Sequence, residues 1–333
     1  MNKLSTEASI PAHHDPRGGF RNPWRSSEQH GFGSFLKWMV TRRNRPPAGN
    51  APRLAPTTTA IDGPDDHRLS ITWIGHSTFL IRAGGLSVLT DPIWSERASP
   101  VAFAGPRRHT APGVPFDELP QIDAVFMSHD HYDHLDDTTI RRLITRFPRT
   151  KWITTLGVGA FFRERGATDV TELDWWQDAG FDGISAVCTP AQHFSGRYPW
   201  NRNATLWCGW TIGLGAYRVF FAGDTALHPE FADIARRSGP LNVAILPIGA
   251  YDPRWFMKAV HMNPEDAVAA YSGIAGVPGN DECVFIPSHW GTFRLTDEPL
   301  DEPPRRLNRA WTEAALPKDY LHVLSPGETR RQG

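Results

Sequence analysis

The chain has 333 residues, of which 40% are hydrophobic and 21% charged, a composition typical of a globular protein with a sizeable core. Its net charge of -1 provides no basic surface field, so we expect no nucleic-acid partner. Three cysteines without CxxC spacing indicate a reducing compartment and argue against a disulfide framework or a thiolate zinc site. Neither a signal peptide nor a membrane-spanning stretch is visible, which predicts a cytoplasmic protein.

The first 66 residues differ in composition from the rest of the chain. They are rich in Pro, Arg, Asn and Gly and show little periodic hydrophobicity, so we predict an irregular arm over 1–66 and a main domain over 67–333. Within the arm, an apolar helix followed by three arginines lies over 32–45. Such a segment predicts peripheral contact with an anionic membrane; the alternative is a packing arm whose basic end is only solvated.

Regular elements begin near residue 69. Gly84 and Gly85 separate two β-type runs and predict a hairpin, and Asn263 followed by Pro264 predicts the start of a helix. Strands are predicted over 70–74, 78–82, 86–90, 122–128, 152–155, 186–189, 205–214, 217–222, 243–248 and 283–288, and further helices over 138–147, 158–165 and 231–237. Hairpins come first and strands then alternate with helices, which predicts an α/β protein in which helices cover packed sheets.

The stretch MSHDHYDHLDD, residues 127–137, concentrates metal-ligand side chains directly after an apolar run. His129 and His131 are two residues apart in an extended segment, so both imidazoles can face one point. We place Asp133 and His134 on the following turn and the first residues of a helix, where they can reach a second point. Imidazole and carboxylate ligands without cysteine suggest a catalytic site for zinc, iron or manganese that keeps one position open.

Three other predicted strands also end in a potential ligand. They are followed by His193, Asp224 and His289. A single histidine after a strand is more often structural than a metal ligand, but four strand ends with suitable donors favour a metal centre. Asp136 and Asp137 are expected to favour the start of the next helix through its dipole. The histidines assigned to the surface are His13, His14, His30, His67 and His322, and His228 is left undecided.

The segment 69–290 resembles the metallo-β-lactamase superfamily of binuclear metallohydrolases. The matching positions are Asp91, His129, His131, Asp133, His134, His193, Asp224 and His289. The resemblance implies a four-layer αββα sandwich and two divalent metal ions, with zinc expected. It also implies that His129, His131 and His193 hold one ion. Asp133, His134 and His289 would hold the other, with Asp224 and a hydroxide bridging the two.

A narrower resemblance concerns the N-acylphosphatidylethanolamine-hydrolysing phospholipase D branch. It is carried by GGFRNPW at 18–24, by SHDHYDHLD and above all by YDPRWFMKAVHMNPE at 251–265. It implies a phospholipid substrate, which the metal-bridging hydroxide would cleave to N-acylethanolamine and phosphatidate. The branch also implies a homodimer and peripheral contact with the membrane surface.

The same branch suggests roles for residues around the metals. Asp133 and His261 are the predicted catalytic residues, and His261 would hydrogen-bond the phosphate or protonate the leaving oxygen; its alternative is a supporting or helix-capping role. We expect Asp91 to orient a ligand histidine and His76 to support the site. An acyl-chain groove is predicted, unless its residues are simply core, at Trp255, Phe256 and Met257.

Three other functions compete with the lipid phosphodiesterase. A hydrolase on the same scaffold could act on a soluble phosphodiester or a lactone, and it would need neither detergent nor vesicles. A non-enzymatic metal or lipid binder would be expected to have lost a ligand, and the ligand set is complete. A di-iron redox relative would carry an extra carboxylate and a flavin domain, and the sequence shows no flavin module.

Overall fold

The computed structural model describes residues 10–24, 32–42, 46–53, 68–198 and 200–332. The predicted boundary between arm and domain falls in 54–67, outside these residues. The strands are β1 (Leu69–Gly75), β2 (Thr78–Ala83), β3 (Leu86–Thr90), β4 (Ala124–Phe126), β5 (Lys151–Thr155), β6 (Val170–Leu173), β7 (Asp178–Phe181), β8 (Ile184–Thr189), β9 (Gly209–Leu214), β10 (Tyr217–Phe221), β11 (Val243–Pro247), β12 (Val284–Ser288) and β13 (Thr329–Gln332). The helices are α1 (Phe32–Thr41), α2 (Asp137–Arg146), α3 (Gly159–Arg163), α4 (Phe231–Ser238), α5 (Arg254–Met257), α6 (Pro264–Ala275) and α7 (Glu302–Glu313).

The strands form two mixed sheets. The first has the order β13-β1-β2-β3-β4-β5-β6 and the second the order β12-β11-β10-β9-β8-β7. The predicted hairpin joins β2 and β3, and its two glycines adopt φ values of 57° and 79° that suit a tight turn. β3 to β6 run parallel, as do β10 to β12, so many strands end at the same edge of the molecule.

Four layers follow from where the apolar side chains lie. Between the sheets, Trp73 and Phe126 of the first sheet belong to the same buried cluster as Trp210 of the second. On the outer face of the first sheet, Leu80 packs in a separate cluster with Leu143 of α2 and other residues of α2 and α3. Helices α4, α6 and α7 pack on the outer face of the second sheet. This arrangement confirms the predicted αββα sandwich.

The elements missed by sequence analysis carry weak hydrophobic patterns. β13 is the polar stretch TRRQ and forms only by pairing with the edge of β1, while β7 is the short stretch DAGF. β6 and α7 were also not predicted, although α7 has Pro303 and Pro304 in its first turn, where proline is compatible with a helix. The predicted strand over 205–214 begins only at Gly209.

Helix α1 is present where the apolar stretch of the arm predicted it. Trp38 is buried and donates from Nε1 to Asp297 at 2.7 Å, and Arg42 donates to the same carboxylate at 3.0 Å. These contacts favour the packing-arm alternative for this part of the arm, while Arg43 and Arg45 lie outside the described residues. Among the helices that the structure describes, none has the length and apolar character needed to cross a membrane.

Candidate metal centre

The predicted ligands meet at one edge of the sandwich because the strands that precede them point the same way. β1 and β3 run parallel to β4, and β8 and β10 run parallel to β12, so their carboxyl ends face this edge. The loops that follow these six strands carry His76, Asp91, His129, His193, Asp224 and His289. The structure therefore brings together every metal ligand predicted from the sequence.

Three imidazoles form the first group. Nδ1 of His131 lies 2.9 Å from Nε2 of His129 and 3.2 Å from Nε2 of His193. Burial lowers the pKa of His131 to about 4 and that of His193 to about 3, and it holds the pKa of His129 well below its ordinary value. Three neutral imidazoles with converging nitrogens offer the lone pairs that a metal ion needs.

The second group combines two histidines with a carboxylate. Oδ2 of Asp133 lies 3.4 Å from Nε2 of His134 and 3.2 Å from Nε2 of His289. His76, the predicted supporting residue, brings its Nε2 to 2.9 Å from the same oxygen. Burial lowers the pKa of His76 to about 3, which leaves a neutral ring that can donate one hydrogen bond to Asp133.

Asp224 lies between the two groups. Its Oδ2 is 3.0 Å from Nε2 of His289 and 3.2 Å from that of His134, and it is 3.8 Å from Nε2 of His193. Burial alone would raise the pKa of Asp224, but the charges of His134 and His289 hold it well below its ordinary value. The carboxylate is therefore ionised and accessible to a cation in either group.

The donor set fits metal ions on two physical grounds. Two ligands on a tetrahedral zinc with bonds of 2.0–2.1 Å are separated by roughly 3.3 Å, close to the 2.9–3.4 Å found within each group. In addition, Nε2 of His134 and Oδ1 of Asp224 are buried without a hydrogen-bond partner among the described residues. Leaving such polar atoms unpaired is costly, and a cation would satisfy them.

Asp91 has the geometry of the predicted orienting residue. Its Oδ2 accepts a hydrogen bond from Nδ1 of His134 at 2.7 Å and from Oγ of Ser128. Oγ of Ser128 in turn lies 2.8 Å from Nδ1 of His129, so one carboxylate fixes the rings of two candidate ligands. Sequence analysis missed Ser128, although its place directly before the first histidine was visible.

The main chain around the centre is tightly constrained. His76, Asp91 and His289 adopt positive φ values of 55°, 33° and 59°, which are uncommon outside glycine and tend to cluster at functional sites. Gly223 precedes Asp224 at a φ of 60°, and a Cβ there would lie 2.7 Å from the main-chain oxygen of Cys208. A side chain at this position would displace the Asp224 loop.

His261 faces the centre from the loop after α5. Its Nδ1 is 3.9 Å from Oδ2 of Asp224 and, within the described chain, has no hydrogen-bond partner. The main chain of His261 is held by Nη1 of Arg254, and Arg254 is fixed by a salt bridge of 2.6 Å to Asp266. The adjacent oxygen of Val260 accepts from Nδ1 of His193 at 2.8 Å, a contact that no side-chain pattern could reveal.

The predicted acyl-chain groove residues do not share one environment. Trp255 is 43% exposed, whereas Met257 is buried. Phe256 stacks on Trp38 of α1 with ring centroids 5.4 Å apart, and the amine of Lys37 lies over the Trp255 ring. Helix α1 therefore covers α5, and the three residues contribute partly to surface and partly to packing.

Two local expectations were wrong. Asp133 and His134 lie entirely on the turn, because α2 begins only at Asp137. His13, assigned to the surface, is buried, and both His13 and His14 contact Asp174. His228 is buried as well, while His30 and His67 lie outside the described residues.

The family model described as "Beta-lactamase superfamily domain" matches residues 87–290. This chain belongs to that family. An uncharacterized protein of Mycobacterium tuberculosis is 43% identical to it, over 88% of this chain and 76% of the relative. The N-acyl-phosphatidylethanolamine-hydrolyzing phospholipase D 1 of Caenorhabditis elegans is 38% identical, over 75% of this chain and 71% of the relative.

A solved structure supports the same fold. Igni18, a metallo hydrolase from Ignicoccus hospitalis, superposes with a TM-score of 0.60 at 23% identity, over 80% of this chain and 99% of that one. Family membership, these relatives and the His/Asp clusters together make the protein a metal-dependent hydrolase of the metallo-β-lactamase superfamily.

Proposed function

We propose that the protein hydrolyses N-acylphosphatidylethanolamine-type phospholipids to N-acylethanolamine and phosphatidate. The observation that carries the proposal is the 38% identity with the phospholipase D 1 of Caenorhabditis elegans over 75% of this chain. The geometry of the centre supports it with two ligand groups on either side of Asp224, an arrangement that suits hydrolysis of a phosphodiester by two ions.

Two divalent ions, which we propose to be zinc, would be held by the two groups. His129, His131 and His193 would bind one, Asp133, His134 and His289 the other, and Asp224 both. When bound, such a pair acidifies a water molecule and offsets the charge that builds on a phosphoryl oxygen. The histidines would bind as neutral imidazoles. Against the effect of burial, Asp224 and Asp133 raise the pKa of His289 to about 9 and hold that of His134 well above its ordinary value, so both rings would release a proton when an ion binds. The two carboxylates would reduce the net charge of the occupied centre.

We assign His261 to the phosphate. Its ring stacks on that of His289 with centroids 5.2 Å apart. Its Nδ1 lies 3.9 Å from Oδ2 of Asp224 and has no hydrogen-bond partner among the described residues. From there its N–H can hydrogen-bond a phosphate oxygen. Burial holds the pKa of His261 well below its ordinary value, so it would deliver a proton to the departing alkoxide of the ethanolamine only after the negative phosphate has raised that pKa. Arg254 and Asp266 act on the reaction only by holding His261 in place.

The lipid part of the proposal concerns α1 and α5. We propose that the exposed ring of Trp255 begins the path of an acyl chain. Trp38 and Arg42 anchor α1 to the domain, and we propose that its opposite, exposed side, where Val40 is 66% exposed, contacts the membrane surface peripherally. A homodimer is also proposed. No nucleic-acid partner is proposed, because a net charge of -1 gives no basic surface for phosphate backbones. Sedimentation with and without anionic vesicles tests the oligomer and the membrane contact together.

The proposal is tested by offering three substrates to zinc-loaded protein. These are N-acylphosphatidylethanolamine in mixed micelles, bis(p-nitrophenyl) phosphate and a lactone, with products identified by mass spectrometry. We expect N-acylethanolamine from the lipid and no release by Asp133→Asn. Cleavage of only the soluble substrates would reject the lipid substrate and keep the two-ion hydrolase.

A further inference from the structure

The N-terminal segment 10–24 reaches the metal centre although it lies outside residues 87–290 of the family match. Nδ2 of Asn22 donates to the main-chain oxygen of His193 at 2.8 Å. We propose that this segment is a strap that shapes the centre and that Asn22 is a positioning residue for His193. The inference rests on the proposed metal centre, but it does not depend on the lipid substrate.

The strap also contacts the loop that carries His193 a second time. The main-chain N–H of Phe20 donates to the oxygen of Asn203 at 2.9 Å, and the N–H of Asn203 donates to the oxygen of Ser195 at 2.9 Å. Gly19 permits this approach, because its φ is 77° and a Cβ there would collide with the main-chain oxygen of Asn203. Gly19 and Asn22 of GGFRNPW therefore both allow the strap to hold the loop that carries His193.

The end of the strap packs beside the loop of Asp224. The ring of Trp24 stacks on that of His228 with centroids 4.6 Å apart and planes at 13°. His228 follows Asp224 by four residues, and the N–H of Ala226 donates to the oxygen of Gln192 at 2.8 Å. The strap therefore contacts two loops. One loop carries His193 and the other carries Asp224, and a main-chain hydrogen bond joins the two loops.

The beginning of the strap is fastened by hydrogen bonds. Nε2 of His13 lies 2.6 Å from Oδ1 of Asp174, and Nε2 of His14 lies 2.7 Å from Oδ2. These separations are those of hydrogen bonds and are shorter than the roughly 3.3 Å between two ligands of a tetrahedral zinc. The His13 ring also stacks on Trp175 at 4.3 Å. We therefore interpret His13, His14 and Asp174 as a hydrogen-bonded anchor of the strap, called the latch, and not as another metal site.

The test measures metal affinity and not turnover. Zinc binding to Asn22→Ala and Asn22→Leu is compared with that of the unaltered protein by competition with a chromophoric chelator. Asn22→Leu keeps the branched shape and the neutrality of the side chain but has no N–H donor. We expect zinc affinity to fall about tenfold in both variants, as for other residues that orient a ligand. Arg17→Ala is the matched control, because Arg17 lies in the same strap and its partner among the described residues is Asp15, on the surface.

Circular dichroism and thermal unfolding verify that each variant is folded. Should Asn22→Ala not fold, Asn22→Leu decides alone. Zinc affinity within twofold of the unaltered protein in a folded Asn22→Leu would overturn the positioning role. Asp174→Asn is also expected to lower zinc affinity, because it weakens the hydrogen bonds to His13 and His14. An unchanged zinc affinity in this variant would overturn the role of the latch.

Discussion

At the scale of residues, the centre depends on groups that orient ligands as much as on the ligands themselves. Asp91 accepts hydrogen bonds from His134 and from Ser128, and Ser128 contacts His129. The ligand positions could be predicted because histidine and aspartate after strands form a visible pattern. Ser128 and the oxygen of Val260 could not, because a serine or a main-chain carbonyl has no such pattern.

Asp91→Asn is expected to weaken metal binding by about 10- to 100-fold. The amide replaces one of the acceptor oxygens that hold Ser128 and His134, so the rings of two candidate ligands lose their orientation. Zinc affinity measures the effect. Asp123→Asn is the matched control, because Asp123 also accepts from a main-chain N–H, that of Ser87, but lies before β4 and away from the centre. Equal affinities of the two variants would contradict the role of Asp91.

His261→Ala is expected to retain its metal and to lose about 10²- to 10⁴-fold in kcat. If His261 delivers a proton, the loss is larger for the ethanolamine ester than for a p-nitrophenyl ester, whose leaving group needs no proton. Elemental analysis and kcat for both substrates measure this. Loss of metal in the variant would place His261 among the ligands instead.

At the scale of elements, short irregular segments carry the chemistry and regular elements hold them. The strands that precede the ligands were predicted because they are apolar, whereas β7 and β13 are short and polar and form by pairing with neighbours. The start of α6 was predicted correctly. Asn263 accepts from the N–H of Asp266 at 2.9 Å, and the carboxylate of Asp266 also fixes Arg254, which holds His261.

Asn263→Ala is expected to lower the free energy of unfolding by about 1 kcal/mol, since it removes the helix cap. It should also reduce kcat, because the cap holds the turn that carries His261. Denaturant unfolding and steady-state kinetics measure the two effects. Ser272→Ala, within the same helix, should change stability by less than about 0.5 kcal/mol. A loss of stability without any change in kcat would show that the helix cap does not position His261 for catalysis.

At the scale of the whole molecule, both sheets and the N-terminal strap converge on one centre. The sandwich could be predicted from strand order and from the resemblance, since four layers bury both sheets. The strap could not, because its contacts join residues 161 and 171 positions apart and follow no periodic pattern. The fold thus brings the four ligand-bearing strand ends, the two strand ends that carry His76 and Asp91, and one irregular segment to the same edge.

Removal of the metal is expected to destabilise the fold. The ligands come from both sheets, so a bound ion ties them together and stabilises only the folded state. At a free metal concentration a thousand times the Kd, the bound metal adds about 4 kcal/mol to the free energy of unfolding. We expect the Tm to fall after treatment with a chelator and to recover with zinc. An unchanged Tm would contradict a metal held between the sheets.

The most direct test of the account is hydrolysis of N-acylphosphatidylethanolamine in water enriched in oxygen-18. The zinc-loaded protein and Asp133→Asn are compared, and both products are weighed by mass spectrometry. Attack at phosphorus predicts one heavy oxygen in phosphatidate, none in N-acylethanolamine, and no products from Asp133→Asn. The absence of both products, or heavy oxygen in N-acylethanolamine, would contradict the account.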